Sequence, residues 1–170
     1  MIIDMANLGS TAKMVEVSFE PADIDLAGEL VTLTGKTTFG GQTERIDSRG
    51  RVSGMIDADV VFDCTRCLEP IAKHLEILFE AVFVDASEED TSAESEIADE
   101  LLDESLVEDG KIDMAEVVRE QILLAIPEQI FCREDCKGLC PQCGANLNLI
   151  NCKCADDAID PRWAALKSLK

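Results

Sequence analysis

The chain has 170 residues, room for one compact core and an appendage, and its 46% apolar and 29% charged content is that of a soluble globular protein. Five prolines and ten glycines exclude collagen-like and linker-dominated classes, and no run approaches the ~20 consecutive apolar residues of a membrane helix. Fifteen Lys and Arg against 35 Asp and Glu give a formal charge of -20, which disfavours non-specific nucleic-acid binding through a basic face.

The N-terminus lacks a basic start followed by an apolar run, so a cytoplasmic protein with no membrane partner is expected. Strand-like patterns come first. Met14 to Phe19 alternates, and Gly28 to Phe39 reads as an extended run with Val31, Leu33 and Thr37 spaced by two, closed by Gly40-Gly41 as a turn. Arg51 to Phe62 carries Val52, Met55, Ile56, Val60 and Val61. From Ile71 to Val84, Leu75 through Phe83 alternates with period two, the mark of a half-buried strand, which places His74 on the solvent side. Such runs with short turns predict an antiparallel sheet or a small β-barrel.

From Asp85 to Asp109 there are twelve acidic residues and no basic one. That composition predicts an acidic, flexible connector over 85–110, within which Ile97, Leu101 and Leu102 allow a weak amphipathic turn. A helix follows. Asp113 and Glu116 have capping-box spacing, Ile112 and Val117 flank them as a hydrophobic staple, and Val117, Val118, Gln121, Leu124 and Ala125 keep helical spacing up to Pro127. Near the end, Asp160-Pro161-Arg162-Trp163 reads as an N-cap and the start of a short helix with Trp163, Leu166 and Leu169 on one face. The fold class expected is therefore α+β: a β-rich part over 1–84, the acidic connector, and a part over 111–170 that holds the helix and the cysteine-rich segment.

Eight cysteines with no export signal point to metal ligands rather than disulfides. Six of them, Cys132, Cys136, Cys140, Cys143, Cys152 and Cys154, fall within residues 132–154. Cys140-Pro141-Gln142-Cys143-Gly144 has zinc-knuckle spacing, with a glycine free to take the positive φ that turns backbone N–H groups toward sulfur. Cys152-Lys153-Cys154 places both thiols on one side of an extended segment. Cys140, Cys143, Cys152 and Cys154 make a natural quartet, and an equally simple set swaps in Cys136 or Cys132. The earlier pair Cys64-Thr65-Arg66-Cys67 fits half a metal site, a redox pair or two buried thiols. Two four-ligand sites would recruit Cys64 and Cys67 beside Cys132 and Cys136, so one or two structural zinc ions are expected. The short segment Gly144-Ala145-Asn146-Leu147-Asn148 cannot build a core of its own and calls for a metal to order it.

Catalytic constellations are not found. His74 is the sole histidine, Gly40-Gly41 lacks the Lys and helix of a phosphate loop, and the carboxylates crowd into the connector, so no enzyme is expected.

The run FCREDCKGLCPQCGANLNLINCKC from Phe131 to Cys154, followed by Asp160-Pro161-Arg162, resembles the C-terminal signature of the YceD-like proteins, the large ribosomal RNA subunit accumulation proteins. Cys64-Thr65-Arg66-Cys67-Leu68 is similar to the same family's C-x-R-C-L element. Other members of that family share this element without the C-terminal cysteines. The resemblance implies a non-enzymatic role in ribosome biogenesis, the accumulation of large-subunit (23S) ribosomal RNA through binding of precursor RNA or an early assembly intermediate. It carries over no catalytic residues. RNA binding by so acidic a protein requires local cations. Arg45, Arg49, Arg51, Arg66 and Lys73 are candidates around the sheet, and Arg133, Lys137, Lys153, Arg162 and Lys167 near the cysteines. The competing readings are an adaptor whose acidic segment holds a basic ribosomal protein, and a thiol redox sensor at Cys64 and Cys67.

Overall fold

The computed structural model describes residues 1–26, 31–86 and 104–154. Most of the acidic stretch, the C-terminal helix expected from Asp160, and the cations Arg162 and Lys167 lie outside the described residues. Two compact units emerge: Met1–Phe62 with Pro70–Glu128, and Asp63–Glu69 with Gln129–Lys170.

The first unit holds the sheet and the helix. Its strands are β1 (Ile2–Asp4), β2 (Lys13–Phe19), β3 (Val31–Leu33), β4 (Thr37–Ile46), β5 (Arg49–Asp63), β6 (Pro70–Asp85), β7 (Glu104–Val107) and β8 (Lys111–Asp113), followed by α1 (Met114–Leu124). The main sheet runs β2-β4-β5-β6-β7, with β3 also on β5, while β1 and β8 form a separate antiparallel pair. The class is α+β, as expected. β2–β4, β3–β5 and β4–β5 are antiparallel, but β7 lies parallel to β6, with Val82 opposite Glu104 and Asp85 opposite Val107. The downstream end of the acidic segment is thus a strand, tied to the sheet by Arg49 on Glu104 at 2.8 Å.

The expected turn at Gly40-Gly41 does not exist. Both glycines lie within β4, and the chain reverses at Asp47-Ser48, where Asp47 takes a φ of 56°. A short polar side chain tolerates that region, so aspartate serves where glycine is commoner. The glycines answer a packing need instead. Gly41 faces Gly54 across the ladder, and a Cβ on Gly41 would collide with the Ser53 carbonyl and lie 2.6 Å from Phe39 Cζ. Their bare backbones make room for the Phe39 ring, which is fully buried and tilted against Phe79 at 5.6 Å.

β5 is a strand, as expected, but it turns Val52, Ile56, Ala58, Val60 and Phe62 inward with period two, leaving Met55 exposed and Val61 half-buried. α1 starts where its sequence indicates: the Asp113 carboxylate accepts from Ala115 N–H at 3.0 Å. Glu116 pairs with Arg119 at 3.2 Å. The buried face is Met114, Val117, Val118 and Ile122, whereas Leu124 is exposed.

Candidate metal centres

The second unit begins with a loop between the two longest strands. Leu68 N–H donates to the Cys64 carbonyl at 2.9 Å, and Cys64 N–H to the Glu69 carbonyl at 2.9 Å. Leu68 adopts a φ of 60°. The same turn recurs farther on: Gly144 N–H donates to the Cys140 carbonyl at 2.8 Å, Cys140 N–H to the Ala145 carbonyl at 2.8 Å, and Gly144 has a φ of 72°. In each knuckle the backbone N–H groups of the third and fourth residues turn toward the first sulfur, Arg66 and Cys67 toward Cys64, Gln142 and Cys143 toward Cys140.

Gly138 sets the second half of the first cluster. Its φ is 75°, and a Cβ there would lie 3.0 Å from the Arg66 carbonyl, which accepts from Leu139 N–H at 3.1 Å. Glycine permits both the dihedral and the approach. Arg66 Nη1 donates to the Cys136 carbonyl at 3.0 Å and its guanidinium lies 4.0 Å over the Phe131 ring. Thr65 is bound to the Ile130 carbonyl through both its N–H, at 2.9 Å, and its hydroxyl, at 3.0 Å.

These contacts gather the eight sulfurs into two groups of four, Cys64, Cys67, Cys132 and Cys136, and Cys140, Cys143, Cys152 and Cys154. Within each, the four sulfurs lie within 4.8 Å of one another. In the first, Sγ of Cys64 is 3.8 Å from Cys136, and Cys67 is 3.6 Å from Cys132. In the second, Cys152 is 3.5 Å from both Cys143 and Cys140. All eight are free thiols. A disulfide would need about 2.05 Å between sulfurs, whereas four thiolates at ~2.3 Å from a tetrahedral ion are spaced by about 3.8 Å. Each group could therefore hold a metal ion. Of the sets left open by spacing, the structure brings together the quartet without Cys132 or Cys136, and places those two with Cys64 and Cys67.

The electrostatics point the same way. Burial pushes the Cys64 thiol up, but the N–H groups of Cys132, Arg66 and Cys67 outweigh it and bring it down to about 6. Burial and then the neighbouring thiols of Cys67, Cys136 and Cys64 push Cys132 up to about 12. In the second group the Cys143 and Gln142 N–H groups bring Cys140 down to about 7, while Cys152 and Cys143 push Cys154 up to about 12. Four sulfurs this close do not all ionise unless a cation joins them, so a divalent ion would displace protons as it enters. Further donors reach the sulfurs: Cys132 N–H to Cys64 at 3.4 Å, Asn148 Nδ2 to Cys136 at 3.3 Å, and Cys154 N–H to Cys152 at 3.3 Å.

A third cluster escaped the sequence reading. His74 is on the solvent side of β6, as expected, but held between two carboxylates of β5: Nδ1 is 2.9 Å from Asp59 and Nε2 is 3.1 Å from Asp57, with Glu76 alongside. The hydrogen bond to Asp59, then the charge of Asp57, raises the His74 pKa above its ordinary value. Two i, i+2 pairs on outward faces of strands, Asp57 with Asp59 and His74 with Glu76, were the available signal.

Among the described residues, five of the candidate RNA-binding cations are engaged within the protein. Arg49 pairs with Glu104, Arg51 with Glu44 at 3.1 Å and Glu80 at 2.8 Å, and Arg133 with Asp135 at 3.7 Å. Arg45 Nε donates to the Asp47 carbonyl at 3.0 Å, and Arg66 is engaged as described. Lys73 lines a shallow depression with Asp59 and His74.

Among the described residues no helix is long and apolar enough to cross a membrane. The model of the family described as "Large ribosomal RNA subunit accumulation protein YceD" matches residues 52–170. An uncharacterized protein of Mycobacterium tuberculosis is 28% identical over 172 aligned positions, covering 98% of this chain and 79% of that protein. YlbN of Bacillus subtilis is 36% identical over 115 positions, covering 67% of this chain and 62% of YlbN. The Zea mays protein named "Large ribosomal RNA subunit accumulation protein YCED homolog 1, chloroplastic" is 26% identical over 161 positions, covering 78% of this chain and 55% of the maize protein. No solved structure matches.

Proposed function

We propose that this chain, which belongs to the YceD family of large ribosomal RNA subunit accumulation proteins, is a non-enzymatic ribosome-biogenesis factor of the cytoplasm that promotes 23S ribosomal RNA accumulation and carries a structural zinc ion in each cysteine cluster. One observation supports the metal above all. Apart from Gly138, the buried side chains in the described part of the second unit are cysteines, Cys64, Cys67, Cys136 and Cys140, while Leu68, Leu149 and Ile150 are exposed. With no apolar core among its described residues, this part of the chain calls for another source of order, which a metal would supply. Four thiolates leave no open coordination position for water, which favours a structural role over a catalytic one. Metal analysis with thiol titration, on protein purified without chelator, should give two zinc per chain. Deleting the gene should lower the ratio of large- to small-subunit ribosomal RNA, and an unchanged ratio under stress would overturn the biogenesis role.

The partner is precursor ribosomal RNA or an early assembly intermediate, and the pairing of Arg49, Arg51 and Arg133 favours a second reading of how it is met. A zinc dication with four thiolates is itself a net dianion, so loading the clusters adds no positive charge for phosphate. The acidic segment then holds a basic ribosomal protein. Capture of such a protein that survives nuclease and disappears without residues 85–110 supports the adaptor; capture abolished by nuclease supports direct contact with RNA.

A further inference from the structure

The two clusters share their chemistry and differ in access. In the first, Cys64 is 0% exposed, Cys67 and Cys136 are each 4% exposed, and Cys132 is half-buried. In the second, Cys140 is 6% exposed, Cys152 is half-buried, and Cys143 and Cys154 are both exposed. Chain connectivity differs too. The outer ligands fall within residues 140–154, whereas the inner ones join residues 64 and 67 to 132 and 136. Opening the outer group frees a short local loop; opening the inner group releases the link between two distant stretches of chain.

We propose that the outer cluster is an oxidant-modification site, reacting with peroxide-class oxidants through Cys143 while the inner cluster keeps its metal. The inference rests on the zinc reading above. The exposed Cys143 thiolate attacks one peroxide oxygen: an S–O bond forms, the O–O bond breaks, and hydroxide leaves, which gives a sulfenic acid. The Cys152 sulfur, 3.5 Å away, then displaces the second hydroxide to form a disulfide. Two thiolates have lost two electrons, the peroxide has become two hydroxides that are protonated to water, and the ion left with two thiolates dissociates. Cys64 and Cys67, the pair with the more familiar redox spacing, are shielded from the same reagent because the oxidant must reach sulfur to react.

The experiment uses the full-length, zinc-loaded chain. Zinc is counted first, then limiting hydrogen peroxide is added in the presence of a chromogenic zinc chelator, and the thiols are mapped by differential alkylation and mass spectrometry. One of the two zinc ions should leave at least about tenfold faster than the other, with the new disulfide joining Cys143 to Cys152 and the inner four cysteines reduced. Cys154→Ser keeps Cys143 and Cys152, 3.5 Å apart, and should still give their disulfide first; oxidation that moves to the inner four cysteines in this variant would overturn the inference. Release of both ions at one rate, or first oxidation at Cys64 and Cys67, would overturn the inference and leave the zinc reading intact. A chain isolated without zinc would overturn both.

Discussion

The sheet unit and the cysteine unit solve the problem of order in opposite ways. In the sheet unit, Phe39, Ile56 and Phe62 of the main sheet, Ile112 of β8, and Met114 and Ile122 of α1 are fully buried, so water exclusion supplies the driving force. Among the described residues of the cysteine unit the buried side chains are those of cysteines, and Leu68, Leu149 and Ile150 face water. Short turns, positive-φ residues and N–H groups aimed at thiols replace side-chain packing. On the reading proposed above, one chain joins a region ordered by its own packing to a region ordered by an ion that its two cysteine clusters could hold.

Removing the ion tests that contrast with the largest effect. Zinc withdrawal should cost the cysteine unit on the order of 10 kcal/mol, so a strong chelator should abolish amide protection at residues 129–154 while β4, β5 and α1 stay protected. Loss of both regions together would break the comparison. Phe39→Ala is the converse. It should destabilise the sheet by about 3–5 kcal/mol, read by denaturant unfolding, and leave the zinc content unchanged. Gly138→Ala comes next. With a φ of 75° and the Arg66 carbonyl 3.0 Å from the new Cβ, it should cost on the order of 1–2 kcal/mol, read as weaker zinc retention against a chelator with no change in sheet unfolding.

The smallest effect is on pH, where the two units should trend oppositely. The folded pKa of His74 is raised by Asp59 and Asp57. Its contribution is therefore fully present below the ordinary value of about 6.5, and is lost as pH rises through the higher folded value. The sheet should be slightly favoured in mild acid, and His74→Asn should flatten that dependence. The zinc centres should instead weaken as the pH falls, because protons compete for thiolates that only the ion holds deprotonated.

Much of this was legible in the sequence. β2 and β6 follow their alternation, and α1 is capped by Asp113 and ends before Pro127, because burial of one face and end-capping are local properties. Gly40-Gly41 misled because glycine serves turns and close packing alike, and only the Phe39 ring lying over Gly41 and Gly54 decides between them. β7 and the β1–β8 pair are short and draw their stability from partners distant in the chain, which no local pattern reveals. Spacing identified the cysteines but left open which of them meet; the bond from Leu139 to the Arg66 carbonyl, across 73 positions of chain, belongs to the tertiary structure. The arginines were visible as charges, whereas their acidic partners on other strands were not.

The paired knuckles share a left-handed position just after the second cysteine, filled by Leu68 in the first and Gly144 in the second. Backbone geometry alone would be satisfied by glycine at both. Leucine there carries a steric penalty of about 1–2 kcal/mol, and with 62% of its surface in contact with solvent it recovers little of that by burial. Mechanical economy of the hairpin bend therefore does not account for this methyl-tipped side chain, which is displayed outward at the expense of the backbone that bears it.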